Sequence, residues 1–186
     1  MRLRVAVCLV AFLAFSCGEA FAQDTPKLDV FAGYSYFQAN PGVSGADSFH
    51  LQGASASIAY NANNWLSGVA DFGGYHAGNI LGTGIDTTLS TYLFGPRVSY
   101  RHAGRFTPFA QALFGAAHAS ASAFGATGSE NAFAMALGGG VDYGLTHHFA
   151  IRPFQVDYLL TRFNETGTGA QNQNNFRIST GIVFRF

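Results

Sequence analysis

The last twelve residues, Asn175 to Phe186, alternate without a break. Phe176, Ile178, Thr180, Ile182, Phe184 and Phe186 fall on one face, and Asn175, Arg177, Ser179, Gly181, Val183 and Arg185 on the other. A period of two is the signature of a β-strand. Seven earlier stretches read the same way: Leu28–Gln38, Phe49–Tyr60, Trp65–Tyr75, Thr88–Tyr100, Phe106–Ala117, Asn131–Leu145 and Phe149–Leu160. In the fourth, Tyr92, Phe94, Pro96, Val98 and Tyr100 oppose Thr91, Gly95, Arg97 and Ser99. Pro96 there lacks the N–H that a ladder uses. The third is the least regular, because Val69 shares a face with Asp71.

The connections between these stretches alternate in length. Residues 39–48, 76–87, 118–130 and 163–174 read as long loops rich in Gly and polar residues, whereas Asn61–Asn64, His102–Gly104 and Thr146–His148 read as short turns. The strands exceed the ~5–6 residues common in soluble sheets and suit the roughly 9–11 residues of a tilted membrane-spanning strand. An even strand number with this long–short rhythm is the pattern of outer-membrane barrels. In nearly every strand the charges share a face with Gly and Ser, while the opposite face is apolar. A soluble barrel would show the reverse. The predicted fold is all-β, an eight-stranded antiparallel up-and-down transmembrane β-barrel, with the apolar face toward lipid and the polar face toward the lumen.

Composition agrees. Charged residues make up 11% of the 186 residues, against about 25% in ordinary soluble proteins. The formal charge is zero, so no basic patch argues for nucleic acid. Arg2 and Arg4, the apolar run Val5–Phe15 and Ala20-Phe21-Ala22 form a secretory signal with cleavage expected before Gln23. The domain division is therefore 1–22 signal peptide, 23–27 short periplasmic leader and 28–186 barrel. Cleavage removes Cys8 and Cys17, leaving the mature chain without cysteine. That excludes disulfides, thiol nucleophiles and zinc–thiolate sites. The six histidines have no convincing metal spacing, and no cofactor or metal is expected.

With its A-x-A signal, eight alternating strands and terminal aromatic strand ending in Phe186, the chain resembles the small outer-membrane barrels of the OmpA/OmpX-like superfamily over residues 28–186. The resemblance implies an integral outer-membrane protein with periplasmic termini, in contact with outer-membrane lipids and lipopolysaccharide. It also implies that the barrel-assembly machinery, with periplasmic chaperones during export, reads the last strand, here Ile182, Phe184 and Phe186. The peptidoglycan binding of larger members is not expected of residues 28–186, which the barrel strands account for. A monomer with a structural or surface-interaction role is expected.

Three groups of residues carry candidate chemistry. Asp71, Arg97, Gln111, Asp142, Gln155, Asp157 and Arg177 all fall on the inward face. Hairpin symmetry about Gly84 sets Asp71 opposite Arg97, and symmetry about Gly167 sets Asp157 opposite Arg177. Buried charges need such partners, so a lumen plugged by polar and charged side chains is expected, with a narrow porin-like channel as the alternative. Aromatics form two sets. Tyr60, Trp65, Tyr100, Phe106, Tyr143, Phe149 and Phe186 lie near the short turns, and Tyr34, Tyr36, Phe72, Tyr92, Phe133, Tyr158 and Phe176 toward the long loops. Two such belts are expected at membrane interfaces. Finally, His118-x-Ser120 with Glu130 downstream resembles the Ser–His–acid set of the eight-stranded lipid A deacylases. It would act with Ser120 as nucleophile, His118 as base and Glu130 orienting the imidazole. The chain as a whole is read as a non-enzyme, with this deacylase as an alternative.

Overall fold

The computed structural model describes residues 26–39, 49–78, 86–101, 103–123, 126–165 and 169–186. The predicted signal peptide, the leader up to Thr25 and most of the first long loop lie outside these residues. Eight strands form: β1 Leu28–Ala39, β2 Phe49–Asn61, β3 Leu66–Ala77, β4 Asp86–Ser99, β5 Phe106–Ala123, β6 Ala126–Gly144, β7 Phe149–Glu165 and β8 Gly169–Arg185. Each pairs antiparallel with the next, and β8 pairs with β1, so the sheet is a closed barrel. Reciprocal bonds between the backbones of Leu28 and Phe186 (3.0 and 2.8 Å) end the seam. Closure leaves no strand edge with open N–H and C=O groups, a condition for spanning lipid. No helix among the described residues is long and apolar enough to cross a membrane.

Alternation sorts side chains as the sequence predicts. Ile58, Phe94, Val98, Phe114, Leu137, Val156, Ile178 and Ile182 are exposed on the outer wall. Tyr60, Trp65, Tyr100, Phe106, Phe149 and Phe186 are exposed at the short-turn end, and Tyr34, Phe72, Tyr92, Phe133 and Phe176 toward the other. Cross-strand ring pairs knit these belts together. Phe106–Tyr143 and Phe149–Phe184 have centroids 5.0 Å apart, and Tyr158–Phe176 5.5 Å. The short turns use local side-chain bonds. Asn63 Oδ1 accepts from the N–H groups of Trp65 and Leu66, and Thr146 Oγ1 from that of Phe149.

The long connections differ from the sequence expectation. Residues 118–123 and 126–130, predicted as loop, are paired strand, with Ala119 opposite Glu130 and Ser120 opposite Ser129. Much of 163–174 is strand too, since β7 runs to Glu165 and β8 starts at Gly169. His76, Ala77, Asp86 and Thr87 likewise belong to strands. The reason is physical: these hairpin extensions carry Ala, Ser, Asn, Gln and Gly on both faces, so they lack the apolar alternation by which a strand is recognised. Strands β5–β8 are 17–19 residues long, more than the roughly 9–11 residues of one crossing. Their hairpins therefore extend past the loop-side aromatic belt.

One irregularity changes a face. In β7, Ile151, Pro153 and Phe154 are exposed while Arg152 and Gln155 are buried, and the register with β6 and β8 shifts by one residue there. This is a β-bulge, an extra residue that re-aims its neighbours, placed at a proline that has no N–H to give. Strict alternation would put Arg152 outward with Phe154. Deleting Pro153 restores Arg152-in, Phe154-out, Gln155-in. We expect that variant to refold in lipid vesicles with stability close to the parent. Deleting Val156 should abolish folding, because a one-residue slip exchanges the faces of the whole segment. Heat-modifiable gel migration reads both. A folded Val156 deletion or an unfolded Pro153 deletion would contradict the register.

Candidate functional site

The inward faces of β3–β8 build one buried polar site. Asp71, Arg97, Gln111, Asp142, Gln155, Asp157 and Arg177 are all buried, and Arg152, which the alternation missed, joins them. Asp157 and Arg177 stand opposite each other in the β7–β8 ladder, as expected from the fourth hairpin. Arg177 Nε and Nη2 donate to Asp157 Oδ2 at 3.0 and 2.8 Å. Asp71 and Arg97 do not pair. The β3–β4 ladder sets Asp71 opposite Leu93 and Arg97 opposite Ser67, because the hairpin is not centred on Gly84. The slip is four residues, an even number, so both side chains keep the inward face. Asp71 instead receives Arg177 Nη1 at 2.6 Å, from across the barrel.

The bonds form a continuous chain. Asp157 is its hub. Besides Arg177, it accepts Gln155 Nε2 at 2.7 Å on Oδ2 and Gln111 Nε2 at 2.9 Å on Oδ1. Gln155 Oε1 accepts Arg152 Nη1 at 2.7 Å, and Arg152 grips Asp142 with Nε and Nη2 at 2.6 and 3.1 Å. Gln111 Oε1 accepts Nε and Nη2 of Arg97 at 3.1 and 2.8 Å. The glutamines thus couple three arginines to three aspartates, each using its amide as donor on one side and acceptor on the other. Formal charge in the network sums to zero. Gly138, opposite Asp157, makes room for it: a Cβ there would collide with Asp157 Oδ1.

Aromatic rings complete the site. The Arg152 guanidinium lies over the rings of Phe31 and Phe109, 4.4 Å from each centroid, and the Arg97 guanidinium also lies over the Phe109 ring, at 4.5 Å. Arg97 has no carboxylate partner among the described residues. The ring quadrupole and Gln111 compensate its charge instead. The Phe31 ring is seated over Gly33 and Gly181, where a Cβ would strike it. Nearer the short turns, Asp29 pairs with Arg101 at 2.9 Å. Ser35 bridges Ser55 and Ser179 at 2.6 and 2.7 Å.

Beside the charges, the inward faces carry apolar side chains. Phe37, Leu51, Tyr75, Leu89, Leu93, Leu113 and Leu159 join small residues in one buried apolar cluster, and Phe31, Ala150 and Val183 form another. Tyr75 joins the two environments, its ring tilted against that of Phe37 with centroids 5.1 Å apart while its hydroxyl accepts from Arg177 at 3.2 Å.

The hydrolase candidate is not assembled. His118 and Ser120 lie on the outer face of β5, but Glu130 pairs with Ala119 and so projects to the opposite side of the sheet. The residue opposite His118 is Asn131, whose Oδ1 lies 2.8 Å from His118 Nδ1. Among the described residues no group of three or more His, Cys, Asp or Glu side chains could hold a metal.

Comparison with known proteins agrees with this architecture. The neisserial surface protein A matches with TM-score 0.68 at 17% identity, over 88% of this chain and 100% of its own. The attachment invasion locus protein Ail of Yersinia pestis matches with TM-score 0.61 at 19% identity, over 87% and 99%. The N-terminal β-barrel domain of Pseudomonas aeruginosa OprF gives 0.52 at 15%, over 87% and 98%. At such identities the likeness is one of fold. No curated protein matches by sequence. Residues 8–186 match the family described as outer membrane protein beta-barrel domain, and the chain belongs to that family of integral outer-membrane barrels.

Proposed function

We propose that this protein is a sealed outer-membrane barrel with a structural or surface-interaction role. The observation that carries the reading is the bonded network from Asp71 through Arg177, Asp157 and the two glutamines to Arg97, Arg152 and Asp142. An eight-stranded interior is just wide enough for side chains to fill. A charge-balanced, mutually bonded filling flanked by apolar clusters leaves little for ions to follow. The signal at 1–22 would direct export, and the termini would lie in the periplasm with the short turns. Outer-membrane lipids and lipopolysaccharide would face the outer wall. Ile182, Phe184 and Phe186 would present the insertion signal to the assembly machinery, after delivery by periplasmic chaperones. The protein would act as a monomer without cofactor or nucleic acid. The β5–β6 and β7–β8 hairpins, extended beyond the belt, are the parts best placed to meet the exterior.

Purified barrel in planar lipid bilayers should give no conductance steps; reproducible ohmic steps would replace the sealed reading with the narrow porin-like channel. The deacylase alternative, with His118, Ser120 and Glu130 as its catalytic set, lacks support from the opposed faces of His118 and Glu130. Lipid A from cells with and without the protein should have the same acylation by mass spectrometry. His118→Ala and Ser120→Ala should change neither lipid A nor folding. Acyl loss that depends on Ser120 would establish the enzyme.

A further inference from the structure

The buried carboxylates Asp29, Asp71, Asp142 and Asp157 pair with Arg101, Arg152 and Arg177, and two arginines at the short-turn mouth stand outside these pairs. Arg105 and Arg185 have no ion-pair partner among the described residues. Arg185 is partly buried on the inward face of β8, and its Nε and Nη2 are shielded from solvent with no hydrogen-bond acceptor. A guanidinium has five N–H donors and a charge that does not titrate away, so withholding acceptors from it is unfavourable unless something else supplies them. Both arginines line a cleft of about 460 Å³, together with Pro26, Gly104, Leu145, Thr146 and His147. The cleft lining contains no carboxylate.

The donors come from separate segments. Arg105 belongs to the turn between β4 and β5, Thr146 and His147 to the turn between β6 and β7, and Arg185 to the last strand. Thr146 Oγ1 already accepts from the Phe149 N–H, which leaves its own hydroxyl hydrogen to donate. His147 is exposed and adds a ring N–H. A planar carboxylate offers two oxygens in one plane. A tetrahedral phosphate offers three or four pointing apart, and converging donors from three segments suit it better; guanidinium forks match phosphate geometry in particular. We propose that this cleft is a binding site for a phosphate-bearing ligand, held by Arg185 and Arg105 with Thr146 and His147 completing its shell. The phosphate could be free or part of a lipid headgroup. Either source would meet the mouth at the depth of the short-turn aromatic belt, beside exposed Phe106 and Phe149.

The test is calorimetric titration of the whole refolded barrel in an uncharged maltoside detergent. Separate titrations use inorganic phosphate, water-soluble dihexanoyl phosphatidylglycerol and acetate. The parent should bind phosphate or the short-chain lipid, and bind acetate more weakly. Losing one charge-assisted fork should weaken binding by about tenfold in both Arg185→Gln and Arg105→Gln. Arg162→Gln, an exposed arginine near the other end, should leave it unchanged. Binding of both phosphate probes assigns the site to the phosphate group itself; binding of the lipid alone assigns it to a headgroup. If Arg185→Gln fails to fold, Arg105→Gln decides, because Arg105 is exposed and unpaired. The proposal is overturned if neither phosphate probe binds, if acetate binds as tightly, or if Arg162→Gln weakens binding as much as the mouth variants.

Discussion

Replacing Arg177 by alanine is expected to destabilise the barrel by about 3–5 kcal/mol, the cost of leaving a buried charge uncompensated. Arg177 and Asp157 are both fully buried, at 0% exposure. Arg177 serves two carboxylates, Asp157 on the neighbouring strand and Asp71 across the lumen. Its loss should therefore cost more than the loss of either aspartate. The structure also refines the double variant. Asp157→Ala with Arg177→Ala should be milder than the two single losses added together, since contacting residues are not additive. It should not return to the parent's stability, because Asp71 is still left without its partner. Removing Asp71 as well should recover part of the loss. Urea unfolding of refolded protein in lipid vesicles measures each of these variants. Simple additivity of Asp157→Ala and Arg177→Ala would mean that the pair is not coupled.

Ile178→Arg tests the opposite face of the same strand, one residue away. Ile178 is 49% exposed on the outer wall, between Val156 of β7 and Tyr36 of β1. It lies between the two aromatic belts, where a lipid-facing arginine is expected to cost about 2–4 kcal/mol. Inward, Ser179 is buried and bonded to Ser35. Ser179→Arg would add a fourth guanidinium beside a network in which three arginines already balance three aspartates, so crowding and excess charge make it a poor control. Ser179→Ala is the better one: it loses one hydroxyl bond of the Ser35–Ser55–Ser179 set, about 0.5–1.5 kcal/mol. An Ile178→Arg protein as stable as the parent in vesicles would show that residue 178 does not face lipid.

The contrast between these neighbouring positions shows how much of the barrel is legible in one dimension. Side chains on a strand alternate by covalent geometry alone, so Ile178 and Arg177 declare their faces without any knowledge of their partners. Asp157 and Arg177 could be paired from sequence because their hairpin is nearly symmetric about its tip. The Asp71–Arg97 expectation failed on the same reasoning, because the β3–β4 register depends on loop geometry that composition does not encode. The extended hairpins went unseen for another reason. Ala119, Ser120, Gln171 and Asn172 are all small or polar, with no apolar residue alternating among them, so they carry no period-two signal although they are paired.

From the sequence alone came the strand number, the closed antiparallel order, the inward charges other than Arg152 and the two aromatic belts. All of these follow from local periodicity and from lipid as the outer solvent. Tertiary structure decided which charges meet. Barrel closure brings Asp71 of β3 to Arg177 of β8, 106 positions apart in sequence. A bulge at Pro153 turns Arg152 inward, against alternation, onto Asp142 and over the rings of Phe31 and Phe109. Barrel closure also gathers Arg105 and Arg185 at one mouth, in a cleft whose lining has no carboxylate. Periodicity tells each residue which side of the wall it faces; only the tilt and closure of the wall determine what it finds there.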